Sequence, residues 1–98
     1  MMEVVIQKSR RKDKKLDAVI DGKKTISFGQ KNASDFTLHK DDDRKEMYIA
    51  RHQKNENWRD PKTAGFYSKH VLWNKPTLQA SVNDLNARYK DINFILKK

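Results

Sequence analysis

The sequence predicts an α+β domain in which a small N-terminal antiparallel hairpin or sheet is packed by two or three helices. Three observations carry that prediction. Two β-prone runs, Leu16–Ile20 and Thr25–Phe28, flank an Asp21-Gly22 pair. Asp41, Asp42 and Asp43 stand at the head of a charged segment ending at His52. Leu78, Val82, Leu85 and Tyr89 follow one another at spacings of 4, 3 and 4, the period of an α-helix.

Taken in order, Glu3-Val4-Val5-Ile6-Gln7 is short and β-branched, and reads as a strand. Asp-Gly between two β runs signals a hairpin, because a type I′ turn needs positive φ at both central residues. Ile26 and Phe28 alternate with Thr25 and Ser27, giving one apolar face that Gly29 ends. Ser34 or Asp35 caps a short turn through Phe36 and Leu38. The three aspartates accept free N–H groups and meet the positive end of a helix dipole, so a helix runs from about Arg44 to His52. Asn55, Asn57 and Asp60-Pro61 mark a loop. Thr63 caps a second helix from Ala64 to about Trp73, with Phe66, His70 and Trp73 on one side. Asn74-Lys75-Pro76 breaks the chain, and Thr77 caps the third helix. Residues 91–96 alternate in part and read as a last strand.

The chain of 98 residues carries 22 Lys+Arg against 13 Asp+Glu, a net charge of +9. That length sets a single small basic domain spanning 1–98, with a basic loop at 8–15. With 36% apolar residues, such a chain buries only about 60–65% of its unfolded surface. Absence of cysteine rules out disulfides, thiolate zinc sites and thiol catalysis. No apolar run approaches the roughly 18 residues of a membrane span. The start, Met1-Met2-Glu3-Val4-Val5-Ile6, has the wrong length and flanks for a secretory signal, so a non-secreted protein is expected. Charge is uneven: residues 1–31 hold nine basic and four acidic groups, 32–62 seven of each, and 63–98 six and two.

Another set of residues carries a resemblance. It comprises Ser27-Phe28-Gly29, Ser34-Asp35-Phe36-Thr37, His39-Lys40-Asp41, Arg44-Lys45, Tyr48 to His52, Trp58, Thr63 to Ser68 and Leu72 to Thr77. This pattern is similar to a family of small basic proteins of unassigned function from large DNA viruses that infect algae and amoebae. It covers roughly residues 17–89, and Thr63 to Thr77 is its most specific part. That family often has proline after the His-Lys-Asp triplet, where this chain has Asp42. The resemblance implies a viral origin and a virion or infected-cell cytoplasm or nucleus as the setting. It supplies no catalytic residue.

The densest electrostatic feature is Lys8, Arg10, Arg11, Lys12, Lys14 and Lys15, six cations within eight residues. Such a run neutralises phosphates and releases counterions, giving salt-sensitive affinity without base preference. It reads equally as a solvated loop between strands, or as a nuclear localisation patch. Lys23, Lys24 and Lys75 extend the cationic set. Arg44, Tyr48 and His52 share a helix face with Arg51 beside it, a combination able to grip a phosphate and stack on a base. The competing reading has Tyr48 packed inward and both arginines paired with Asp41, Asp42 or Glu56.

His39, His52 and His70 raise a metal-dependent nuclease, but their spacing matches no zinc motif. Trp58, Phe66, Tyr67 and Trp73 suit a core better than an exposed platform in so small a domain. The three glycines are too scattered for a phosphate loop. The function expected is therefore non-enzymatic. It is a small basic viral protein, virion- or replication-associated, that binds nucleic acid non-specifically through phosphates, with no cofactor, metal or membrane partner. A minor capsid or cement-type protein meeting other virion proteins is the alternative, and a magnesium-dependent nuclease the third.

Overall fold

The computed structural model describes residues 2–54 and 57–97. Met1 lies outside them, as do Asn55, the expected loop marker, and Glu56, the expected arginine partner. The elements run β1 (Met2–Lys8), β2 (Lys14–Ile20), β3 (Lys24–Gln30), α1 (Phe36–His39), α2 (Asp42–His52) and α3 (Ala64–Tyr67). A π-helical run Ser68–Leu72 continues α3, followed by α4 (Leu78–Arg88) and β4 (Ile92–Leu96). This is the expected α+β architecture.

The strands form one sheet in the order β3-β2-β1-β4. Asp21 (φ 52°) and Gly22 (φ 67°) both take the left-handed conformation that the β2–β3 turn requires. β1, β2 and β3 pair antiparallel, with Val4 opposite Ile20 and Leu16 opposite Phe28. β4 joins β1 in parallel, Val4 opposite Phe94, so the complete sheet is mixed rather than purely antiparallel. The helical layer between β3 and β4 supplies the long crossover that parallel pairing needs.

The register puts Val4, Ile6, Ala18, Ile20, Ile26, Phe28, Ile92 and Phe94 into the core. Phe66, Tyr67, Val71, Leu72, Val82 and Leu85 pack on them from the helical layer. Each such side chain contributes roughly 1.5–3 kcal/mol of burial. Asp35, Asp41, Thr63 and Thr77 all cap helix N-termini through their side chains, as the sequence predicts. The second helix departs from the regular form expected to about Trp73, because its later part widens into the π-helical run. In a straight α-helix Leu72 would lie about 240° round from Phe66. The wider turn lets Phe66, Tyr67, His70, Val71 and Leu72 all be buried.

Gly29 (φ +78°) is the β3 position against which Leu72 of the helical layer packs. A Cβ built on it would stand 2.6 Å from Leu72 Cδ1. No helix among the described residues is long and apolar enough to cross a membrane.

Candidate nucleic-acid interface

The basic run forms the end of β1, the β1–β2 loop and the start of β2. One carboxylate organises it. Asp17 of β2 is completely buried although β2 turns its neighbours Leu16 and Ala18 toward the core. Ser9 and Ser27 each donate a hydroxyl to Asp17 Oδ1 at 2.6 Å. The Arg10 N–H donates to Oδ2 at 3.2 Å, and Arg10 Nε lies 3.7 Å from the same atom. Burial alone would raise the Asp17 pKa. The bonds from Ser27, Ser9 and Arg10, with the Arg10 charge, outweigh it and hold the group below its usual 3.8. The loop is thus pinned to the sheet at its first two residues. Backbone bonds from Ser9 N–H to Lys15 O and from Lys31 N–H to Asp13 O close it from both sides.

Not every cation in the run is free. Arg11 forks onto Asp13 through two bonds, at 3.2 and 3.1 Å. Lys15 turns away from solvent and pairs with Asp35, whose carboxylate also caps α1 through the Thr37 N–H. Lys15 is therefore a structural cation. Lys8, Lys12 and Lys14 make no ion pair among the described residues. Two further lysines belong to the same end of the sheet. Lys31 follows β3 against the loop, and the Lys97 N–H donates to Ile6 O beside the end of β1. Sequence reading missed both, because their proximity follows from strand order, which charge runs do not encode.

Other predicted cations lie elsewhere. Lys23 and Lys24 sit at the β2–β3 turn, at the opposite end of β2, about 20 Å away by strand rise. Arg44 and Arg51 are exposed on α2 and form no ion pair with Asp41 or Asp42. Lys75 is exposed before α4, where its N–H donates to Ser81 Oγ. It belongs to a separate cationic cluster around Asp84. Arg88 Nε lies 3.0 Å from that carboxylate. Asn74 donates to it at 2.8 Å and accepts Lys45 Nζ on its carbonyl at 2.6 Å. Lys69 Nζ stands 5.2 Å from the centre of the Trp58 ring. Burial first, then the charges of Arg88 and Lys45, lower the Lys69 pKa.

Phe66 and Tyr67 are buried in the core and Trp73 packs against it, as expected, whereas Trp58 is half-buried and lies outside the core cluster. Tyr48 is buried and stacks on Trp73 at 4.5 Å and 8°, so it faces inward rather than outward beside Arg44. His52 lies on Tyr48 at 4.2 Å, and its Nδ1–H donates to the Tyr48 carbonyl. His39 packs on the other side of this group, 5.3 Å from Trp73. His70 is buried against Phe66 and donates Nε2–H to the Trp58 carbonyl at 2.9 Å. Burial above all pushes its pKa down to about 4. Among the described residues, no group of three or more His, Cys, Asp or Glu is placed to hold a metal ion.

Two hollows open beside the basic end. The inner one, about 340 Å³, lies between β3 and the helical layer and is lined by Lys14, Gly29, Tyr48, His52, Ser68 and Trp73, among others. The outer one, about 410 Å³, is lined by Asp13, Lys14, Gln30, Lys31, Asn32 and Ala33. Lys14, Gln30 and Ala33 border both.

Fold and surface together define a two-layer α+β domain with a pinned cationic loop at one end of its sheet. The chain belongs to the Family of unknown function (DUF5754), whose model matches residues 4–52, half of its length. The match runs from β1 through α2 and so includes the pinned loop, Asp17, Asp35 and Tyr48. The segment Thr63 to Thr77 lies beyond it. No curated protein and no solved structure matches the chain.

Proposed function

We propose that this protein is a non-enzymatic nucleic-acid-binding domain that grips phosphates with the end of its sheet. The contacts come from Lys8, Arg10, Arg11, Lys12 and Lys14, with Lys31 and Lys97 extending the surface. The observation that carries this reading is the Asp17 anchor. A loop that merely keeps a small domain dissolved needs no buried carboxylate holding Ser9 and Arg10 in place. A fixed loop spares ordering entropy on binding. Lysines without acidic partners keep the counterions whose release drives phosphate association. A virion or replication role accords with the resemblance to small viral proteins and belongs to the same proposal.

The test is the affinity for a DNA or RNA duplex across a salt series. The expected result is binding whose log affinity falls linearly with log salt, with a slope of roughly 0.9 per phosphate engaged on DNA. Absence of binding at low salt removes the proposal. The alternative, an interaction module for acidic protein neighbours, then predicts co-purification with such proteins instead.

A further inference from the structure

The two edges of the sheet are built differently. The β4 edge is closed. Asn86 Nδ2 donates to the Phe94 carbonyl and the Phe94 N–H donates to Asn86 Oδ1, both at 2.9 Å, so a side-chain amide stands where a neighbouring strand would pair. The β3 edge, at the other side of the sheet, is open. Its outward groups follow from the alternation of an antiparallel ladder. The Ser9 N–H donates to Lys15 O and the Asp21 N–H to Glu3 O, so the odd-numbered residues of β2 point to β1 and the even-numbered ones to β3. Their partners Lys24, Ile26 and Phe28 point back to β2. Thr25 and Ser27 therefore direct their backbone N–H and C=O groups away from the sheet, where they have no hydrogen-bond partner among the described residues.

The inner hollow, about 340 Å³, lies along this edge. Residues 27–30 line it on the sheet side, and the small residues Ala64, Gly65 and Ser68 line it on the helical side. Lys14 borders it beyond the end of β3, and Lys24 begins the strand; neither makes an ion pair among the described residues. The one carboxylate among the lining residues, Asp35, is already held by Lys15 and the Thr37 N–H.

We infer that the β3 edge binds an extended, acid-flanked segment of a partner protein as an added strand. Strand addition takes affinity from main-chain bonds and specificity from alternate side chains. Thr25 and Ser27 supply the main-chain groups, and the hollow receives the side chains that the added strand turns toward the helical layer. Lys24 and Lys14 stand at opposite ends of the edge, so carboxylates at both ends of the segment complement them. A second copy is the poorer occupant. Two β3 strands paired antiparallel about Ser27 would bring Lys24 of each close to Lys31 of the other, and like charges across a ladder repel. The inference is independent of phosphate binding.

The experiment measures, by fluorescence anisotropy, the binding of two labelled peptides with a core of alternating valine and threonine, one flanked by aspartates and the other by lysines. The aspartate-flanked peptide should bind, and the lysine-flanked one at least about tenfold more weakly at low salt. Amide exchange at Thr25 and Ser27 should slow when the acidic peptide is bound. Thr25→Pro removes an outward N–H and no ladder bond, so it should weaken that peptide about tenfold, the worth of one hydrogen bond, without changing affinity for a DNA duplex. Ala64→Leu, at an exposed position on the helical side, fills the hollow and should weaken the peptide without touching β3. Failure of the acidic peptide to bind, or binding that neither variant weakens, overturns the inference and leaves phosphate binding intact. Self-association of the chain that Thr25→Pro abolishes gives the edge to a second copy and overturns the acidic partner.

Discussion

Ser9 Oγ and Asp17 Oδ1 are 2.6 Å apart, and that bond fixes the first residue of the cationic loop to a fully buried carboxylate. Ser27, on the neighbouring strand, donates to the same oxygen at the same distance. The loop therefore inherits its position from the register of β2 on β3, where Asp17 stands opposite Ser27.

This arrangement makes a prediction that charge alone would reverse. Asp17→Ala removes a negative charge and should strengthen non-specific phosphate binding if charge count decides. Because the carboxylate orders the loop, the variant should instead bind duplex severalfold more weakly. It should also lose about 2–3 kcal/mol of stability in urea unfolding, as hydrogen bonds to a buried charged group are removed. Ser9→Ala should lose about 1 kcal/mol, since the other contacts to Asp17 remain. Tighter binding by a folded Asp17→Ala variant would contradict the anchor.

His70 predicts how acid weakens the fold. Its pKa in the folded protein lies at about 4, against an ordinary 6.5, chiefly through burial, with Lys69 and Arg88 adding repulsion. Between those two values the unfolded chain binds a proton that the folded chain refuses. Stability is then complete above pH 6.5 and declines as pH falls toward about 4. At roughly 1.4 kcal/mol per pH unit the decline reaches about 3 kcal/mol. Asp17 and Asp84, held below 3.8, act in the lower window, where their protonation removes further stability. Urea unfolding as a function of pH should show both phases. His70→Gln, which keeps an N–H for the Trp58 carbonyl, should flatten the upper one.

Gly29 is a packing prediction. Its φ of +78° disfavours any other L residue, and a Cβ there would stand 2.6 Å from Leu72 Cδ1. Gly29→Ala should cost about 2–4 kcal/mol, combining left-handed strain with overpacking, and should lower Tm accordingly. Gly22→Ala, with positive φ but nothing within 4 Å of its Cβ, should cost less.

Much of this fold is legible in the sequence because its signals are local. Asp21-Gly22 specifies a turn by backbone sterics, and Asp35, Asp41, Thr63 and Thr77 specify helix starts by capping. Leu78, Val82, Leu85 and Tyr89 specify a face by period. The parallel pairing of β4 with β1 is not legible, since it depends on the path of the helical layer. Nor is the π-helical run, which arises from burying Leu72 together with Phe66. The site is half legible. The loop stands out as a charge run, whereas the engagement of Lys15 by Asp35, twenty positions away, does not. Lys31 and Lys97 join the loop only after the sheet has assembled.

The salt dependence of the Lys8→Ala/Lys12→Ala/Lys14→Ala variant addresses the cationic sheet end most directly. Each phosphate-contacting lysine carries about one unit of slope, so the triple variant should bind a DNA duplex with a log–log slope shallower by about three. Lys23→Ala/Lys24→Ala, altered at the far end of β2, should leave the slope as it is. Equal slopes for the wild type and the triple variant would contradict the account.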